Sequence, residues 1–136
     1  MTPLPKNYKK KTIKGPYGLL LSLDIHKVDE RFFTAEFLKP FIEGLCDTIK
    51  FKRGPFHSWG NDYNENEEKK VKCDGISCIQ FLEHSSITCH AIDELGYIFI
   101  DIFTCDTFSP SLAEQYILSK LNKDIEIVSE TKIIRH

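Results

Sequence analysis

The chain has 136 residues, of which 41% are hydrophobic and 10 are phenylalanine, enough to bury one core in a single domain. Its 18 basic and 20 acidic side chains leave a net charge of −2, which excludes a nucleic-acid polyanion as the main partner. No apolar run approaches the ~20 residues of a membrane span.

Residues 1–14, MTPLPKNYKKKTIK, are polar and proline-bearing and read as a loose tail ahead of one domain over 15–136. GLLLSLDI (18–25) suits a buried strand. Phe32, Phe33, Phe37, Phe41, Ile42 and Leu45 then recur near helical spacing, with Thr34 as a candidate cap. Pro40 inside that pattern predicts a kink, or a start later than the periodicity implies. TIKFK (48–52) is a short strand candidate, and GPFHSWGNDYNENEEKK (54–70) reads as one long surface loop. GISCIQFL (75–82), SSITCHAI (85–92) and GYIFIDIFTC (96–105) are three further strands, the last two joined by turn chemistry at 93–96. Ser109 and Pro110 open a second helix with Leu112, Tyr116, Ile117 and Leu121 on one face. IEIVSETKII (125–134) is a closing strand. The predicted fold is α+β: a two-layer sandwich of a mainly antiparallel sheet with two helices on one face.

Five cysteines, an odd number without a CxxC pair or an opening signal segment, suggest reduced thiols in the cytoplasm. Cys73, Cys78, Cys89 and His90 lack the ligand spacing of structural zinc sites, so no metal is expected.

The stretch 75–105 packs serines, histidines, acids and thiols into strand-like sequence. GIS (75–77), SSITCHAIDE (85–94) and GYIFIDIFTC (96–105) resemble, in register and without a gap, the short prokaryotic form of the S-adenosylmethionine decarboxylase family. Taken singly, Ser85 and Ser86 read as a polar turn and His90 as a hydrogen-bonded histidine. Cys105 alone reads as a small buried hydrophobe, and Glu94 as a turn acid. Their joint spacing selects the catalytic reading.

Decarboxylation of an α-amino acid needs an electron sink, which side chains do not offer. The resemblance implies that this family makes one from its own backbone. A serine hydroxyl attacks the preceding carbonyl, the ester eliminates, and the new N-terminus becomes a pyruvoyl group that bonds the substrate amine. The resemblance assigns the pyruvoyl to Ser85, with cleavage between His84 and Ser85 where the family has a glutamate before the serine. It gives Ser77 and His90 the processing chemistry, Cys105 the return of a proton to the substrate, and Glu94 the ribose hydroxyls. The adenine-stacking aromatic of the family falls at Val71, and Phe56 or Trp59 is an alternative ring. The implied protein is a homodimer of cleaved protomers acting on S-adenosylmethionine in spermidine synthesis. Two other readings stay open: a pyruvoyl enzyme for ornithine or arginine, and an uncleaved relative that binds a ligand or regulates a partner.

Overall fold

A computed structural model describes residues 1–60 and 75–136. Nine-residue β1 (Gly18–His26) leads through a short 3₁₀ turn (Glu30–Phe32) to helix α1 (Ala35–Thr48). Four strands follow, β2 (Arg53–Gly60), β3 (Ile76–Leu82), β4 (Ser85–Ile92) and β5 (Tyr97–Thr104), then helix α2 (Pro110–Lys120) and strand β6 (Glu126–Arg135). The strands form one antiparallel sheet in the order β2-β3-β4-β5-β1-β6.

Strand alternation gives this sheet two different faces. Leu21, Leu23 and Ile25 of β1 point to the helices with Ile87, Cys89 and Ala91 of β4 and Ile98, Ile100 and Ile102 of β5. Leu38, Phe41, Ile42 and Leu45 of α1, and Ala113 and Ile117 of α2, close over them into one core. Phe41 stacks on Tyr116 with centroids 5.7 Å apart, and the Tyr116 hydroxyl donates to the Phe41 carbonyl at 2.8 Å. The helices are therefore tied to each other as well as to the sheet.

Local chemistry explains most boundaries. Thr34 Oγ1 accepts the Phe37 amide at 3.1 Å and starts α1 after Phe32 and Phe33, a later start than the phenylalanine spacing implies, yet Pro40 still lies inside the helix. Ser109 Oγ caps α2 by accepting the Leu112 amide at 3.2 Å, with Pro110 at the first turn. The α2 stripe differs from the expected one: Ala113, Ile117 and Leu121 are buried, whereas Leu112 is exposed.

Two expectations between 48 and 70 need correction. TIKFK is not a strand: Thr48 ends α1, and Lys50 takes a left-handed φ of 65° in the turn that follows. GPFHSWG lies within β2, the part of the expected loop that turns out to be sheet, while 61–70 fall outside the described residues. Pro55 has no N–H to give, and the ladder slips between Arg53 and Phe56. The buried Gln80 amide bridges that gap, donating to the carbonyls of Gly54 at 2.8 Å, Phe81 at 2.9 Å and Pro55 at 3.3 Å. The polar, interrupted composition hid a strand because a side chain does part of the ladder's work.

Glu114 on α2 sets its carboxyl against that of Glu130 on β6, and Lys132 Nζ lies 2.7 Å from Glu130. Glu114 Oε1 is buried without a hydrogen-bond partner. The proton shared with Glu130, then burial, pushes Glu114 up to about 7, while that same hydrogen bond and Lys132 hold Glu130 below the usual range. A raised carboxyl contributes stability that is full below its ordinary 4.5 and lost as pH rises through about 7. The Glu130 contribution is already complete above 4.5. The melting midpoint of the wild type should therefore fall relative to that of Glu114→Gln between about pH 5 and pH 8, modestly because solvent screens the pair. Parallel pH profiles for the two proteins would contradict the shared proton.

Candidate active site

The β3–β4 connection is a two-residue turn, Glu83–His84, which fixes the pairing Leu82↔Ser85 and, five rungs on, Ser77↔His90. His84 adopts φ 60°, left-handed backbone that costs a residue with a Cβ about 1 kcal/mol or more. Ser85 is thus not a turn residue: it is the first residue of β4, 8% exposed.

The β4–β5 hairpin turns at 93–96, with Gly96 at φ 68° and its amide donating to the Asp93 carbonyl at 3.2 Å. Its register sets Ser86 against Phe103 and so carries Cys105 back to Ser85. The Cys105 amide donates to Ser85 Oγ at 2.9 Å, and Cys105 Sγ lies 3.9 Å from the Glu83 carbonyl oxygen. Thr104, fully buried, anchors this corner through Oγ1, which donates to the Asp106 carbonyl at 2.5 Å and reaches the Leu19 carbonyl at 3.3 Å. Gly18 completes it, since a Cβ there would fall 1.8 Å from the Thr104 carbonyl oxygen. The sequence reading names neither residue: Gly18 acts through close backbone approach, which leaves no side-chain signature, and the Thr104 hydroxyl bonds only backbone carbonyls, so its role shows only in the fold.

Ser77 and His90 form a second pair, with Ser77 Oγ 3.0 Å from His90 Nδ1. They lie on the face that no helix among the described residues covers, because both are exposed while Cys78 and Cys89 point into the core. His90 is five residues from Ser85, about 17 Å along the strand, and its side chain leaves the opposite face. Glu94 lies further still, in the 93–96 turn, where its amide donates to Asp93 Oδ1 at 2.9 Å. The structure therefore joins Ser85 to Cys105 and Ser77 to His90, but does not bring the two pairs together within one chain. Asp101 sits on the same open face, exposed between Ser22 and Thr88, so its apolar neighbours in sequence do not enclose it. Among the described residues no group of three metal-ligating side chains converges, and Cys73 lies outside them.

The sequence profile of S-adenosylmethionine decarboxylase matches residues 20–133. The chain belongs to the S-adenosylmethionine decarboxylase family. It is 34% identical over 84 residues to an S-adenosylmethionine decarboxylase proenzyme 1 of Bacillus cereus, covering 61% of this chain and 60% of that one. A proenzyme from Bacillus cytotoxicus is 32% identical over the same shares, and one from Bacillus velezensis is 32% identical over 48% of this chain and 52% of its own. The chain thus spans about half to 60% of the length of the curated relatives it matches. The fold is that of an adenosylmethionine decarboxylase from Aquifex aeolicus, with a TM-score of 0.65 at 23% identity over 88% of this chain and 91% of that one.

In this family member the thiols differ sharply in setting. Burial pushes Cys78 up to about 11, burial and the Asp47 charge push Cys46 to about 11, and complete burial raises Cys89 further. Cys105 alone of these four is partly exposed. Peptide mapping after brief iodoacetamide treatment at neutral pH should therefore find Cys105 alkylated well before Cys46, Cys78 and Cys89. Equal labelling of the four would contradict the accessible thiol.

Proposed function

We propose that the chain is a self-cleaving, pyruvoyl-dependent S-adenosylmethionine decarboxylase, acting in the cytoplasm as a homodimer of processed protomers. One observation carries the reading: Ser85 follows a left-handed residue in a tight turn, and its hydroxyl and the Cys105 thiol share one corner. These residues fit the formation of a pyruvoyl group, which asks only for a serine hydroxyl and the carbonyl before it.

Ser85 Oγ adds to the His84 carbonyl carbon and the amide C–N bond breaks, leaving an ester and a free amine. Loss of the Ser85 Cα proton expels the His84 carboxylate together with residues 1–84. Water then enters, ammonia leaves, and a ketone remains at the new N-terminus. The Cys105 amide, by donating to Ser85 Oγ, orients the hydroxyl and favours its charged form. When present, the pyruvoyl group supplies the electron sink for loss of CO₂. Cys105 Sγ holds the proton that replaces the lost carboxylate. Glu94 is assigned to the ribose hydroxyls.

Ser77 and His90 enter through the dimer. The open sheet face carries half-buried Phe99 and Phe103 and the exposed rings of Phe81 and Trp59, a surface of the kind that sheets cover by packing on another sheet ~10 Å away. A second copy, turned end for end about a two-fold axis near Thr88, sets its His90 level with the first copy's Ser85. The Ser77–His90 hydrogen bond then aims the imidazole at a neighbouring chain's corner, where it serves acid–base steps. The site is incomplete without the partner.

The processed wild type should run under denaturing conditions as fragments of 84 and 52 residues and release CO₂ from carboxyl-labelled S-adenosylmethionine. Ser85→Ala should stay a single chain and release none. A Ser85→Ala protein that still splits after residue 84, or a wild type that never splits, would sink the proposal.

A further inference from the structure

Strand β6 is the outer strand of the sheet beyond β1, and every residue from Val128 to Arg135 is exposed. The direction of its backbone groups follows from the turn at Glu83–His84. A two-residue turn makes Leu82 and Ser85 a hydrogen-bonded pair. Along each antiparallel strand, successive residues then present their N–H and C=O groups to alternate sides. Carried rung by rung through β4, β5 and β1, the alternation turns Thr131 and Ile133 toward β1 and Glu130, Lys132 and Ile134 outward. Among the described residues no strand lies beyond them. An edge of 10 residues without a proline leaves a row of free donors and acceptors on which another strand can form.

We propose that β6 pairs antiparallel with β6 of a second copy about a two-fold axis at Thr131, joining two sheets edge to edge. The charges select that centre. With Thr131 opposite itself, Glu130 of each copy faces Lys132 of the other, whereas centring on Glu130 or on Lys132 would set like charges together. Glu130 and Lys132 both turn their backbone groups outward, so these rungs are hydrogen-bonded ones. Within one chain Lys132 Nζ already lies 2.7 Å from Glu130, and pairing makes the two couples one alternating network of charge. The next outward rung sets Val128, 47% exposed, against Ile134, 57% exposed. The edge is thus complementary to itself in charge and in apolar contact.

This contact is separate from the face-to-face dimer and compatible with it. Thr88, Asp101, Ser22 and Thr131 stand opposite one another on successive strands, so they form one row across the sheet. The axis placed near Thr88 runs along that row, and the edge axis crosses it at Thr131. Turning a sheet end for end about the row keeps both β6 strands on the same side, so both sheets of one sandwich meet both sheets of another. Perpendicular two-fold axes that intersect close the assembly as a tetramer. The closure rests on the face-to-face reading; the register at the edge does not.

Charge reversal tests the edge without touching the core or the active corner. By sedimentation at micromolar concentration the wild type should be a tetramer. Lys132→Glu sets Glu130 against a glutamate, and Glu130→Lys sets Lys132 against a lysine, so each variant alone should sediment as a dimer. Mixed in equal amounts, the two variants carry opposite charges at both rungs and should return to the tetramer, as should the double variant Glu130→Lys, Lys132→Glu. Release of CO₂ per chain should stay within about twofold of wild type throughout, because the face-to-face pair persists. Single variants that remain tetramers, or a mixture that remains dimeric, would overturn the pairing. So would a wild type that is itself a dimer, and normal CO₂ release in that dimer would leave the decarboxylase reading standing.

Discussion

Everything in this molecule follows from the two-residue turn at Glu83–His84. It fixes the register of β3 against β4, and in a sheet with one covered face the register decides which side chains meet the core. A slip of one residue would carry His90 into the core and Cys89 into solvent. With the turn in place, Ile87, Cys89 and Ala91 seal the helix side while Ser77 and His90 stand free on the other. The same turn holds His84 in left-handed backbone immediately before the bond assigned for cleavage. Structural constraint and chemical site are one feature.

The β4–β5 hairpin adds the second half. Ser85 and Cys105 are 20 residues apart in sequence, yet the hairpin folds them to a 2.9 Å hydrogen bond. Gly18 and Thr104 hold that corner closed from β1. A rigid, fully buried strand centre built from Ile98, Ile100 and Ile102 lies beneath it. Side chains at the ends of such strands inherit their precision from the core, without having to be buried in it.

Much of this was legible in the sequence, for definable reasons. SSITCHAI alternates polar and apolar with period two, YIFIDIF showed its strand character but not the open face that carries Asp101, and the spacing of Ser77, Ser85, His90, Glu94 and Cys105 carried the family resemblance. Both helix starts were visible as Thr34 and Ser109 caps. β2 was not legible, because Gly54, Pro55 and Gly60 imitate a loop while Gln80 restores the hydrogen bonds from another strand. The division of the site was not legible either. Linear spacing suggested that Ser77 and His90 act on Ser85, but strand parity and ~17 Å of separation place them on opposite faces of one chain. The pairing that sets Trp59 beside Ser77 exists only once β2 is recognised as a strand.

The central claim is that each active corner is completed by the partner's Ser77–His90 pair, and subunit complementation tests it directly. Cys105→Ala and His90→Ala are each prepared alone, then mixed under conditions that exchange subunits. A mixed dimer built as described keeps one intact site, with Ser85 and Cys105 from one chain and His90 from the other. The mixture should therefore recover about a quarter of wild-type activity while each parent stays near background. A mixture no more active than its parents, with exchange verified, would show that His90 serves its own chain and would contradict the account.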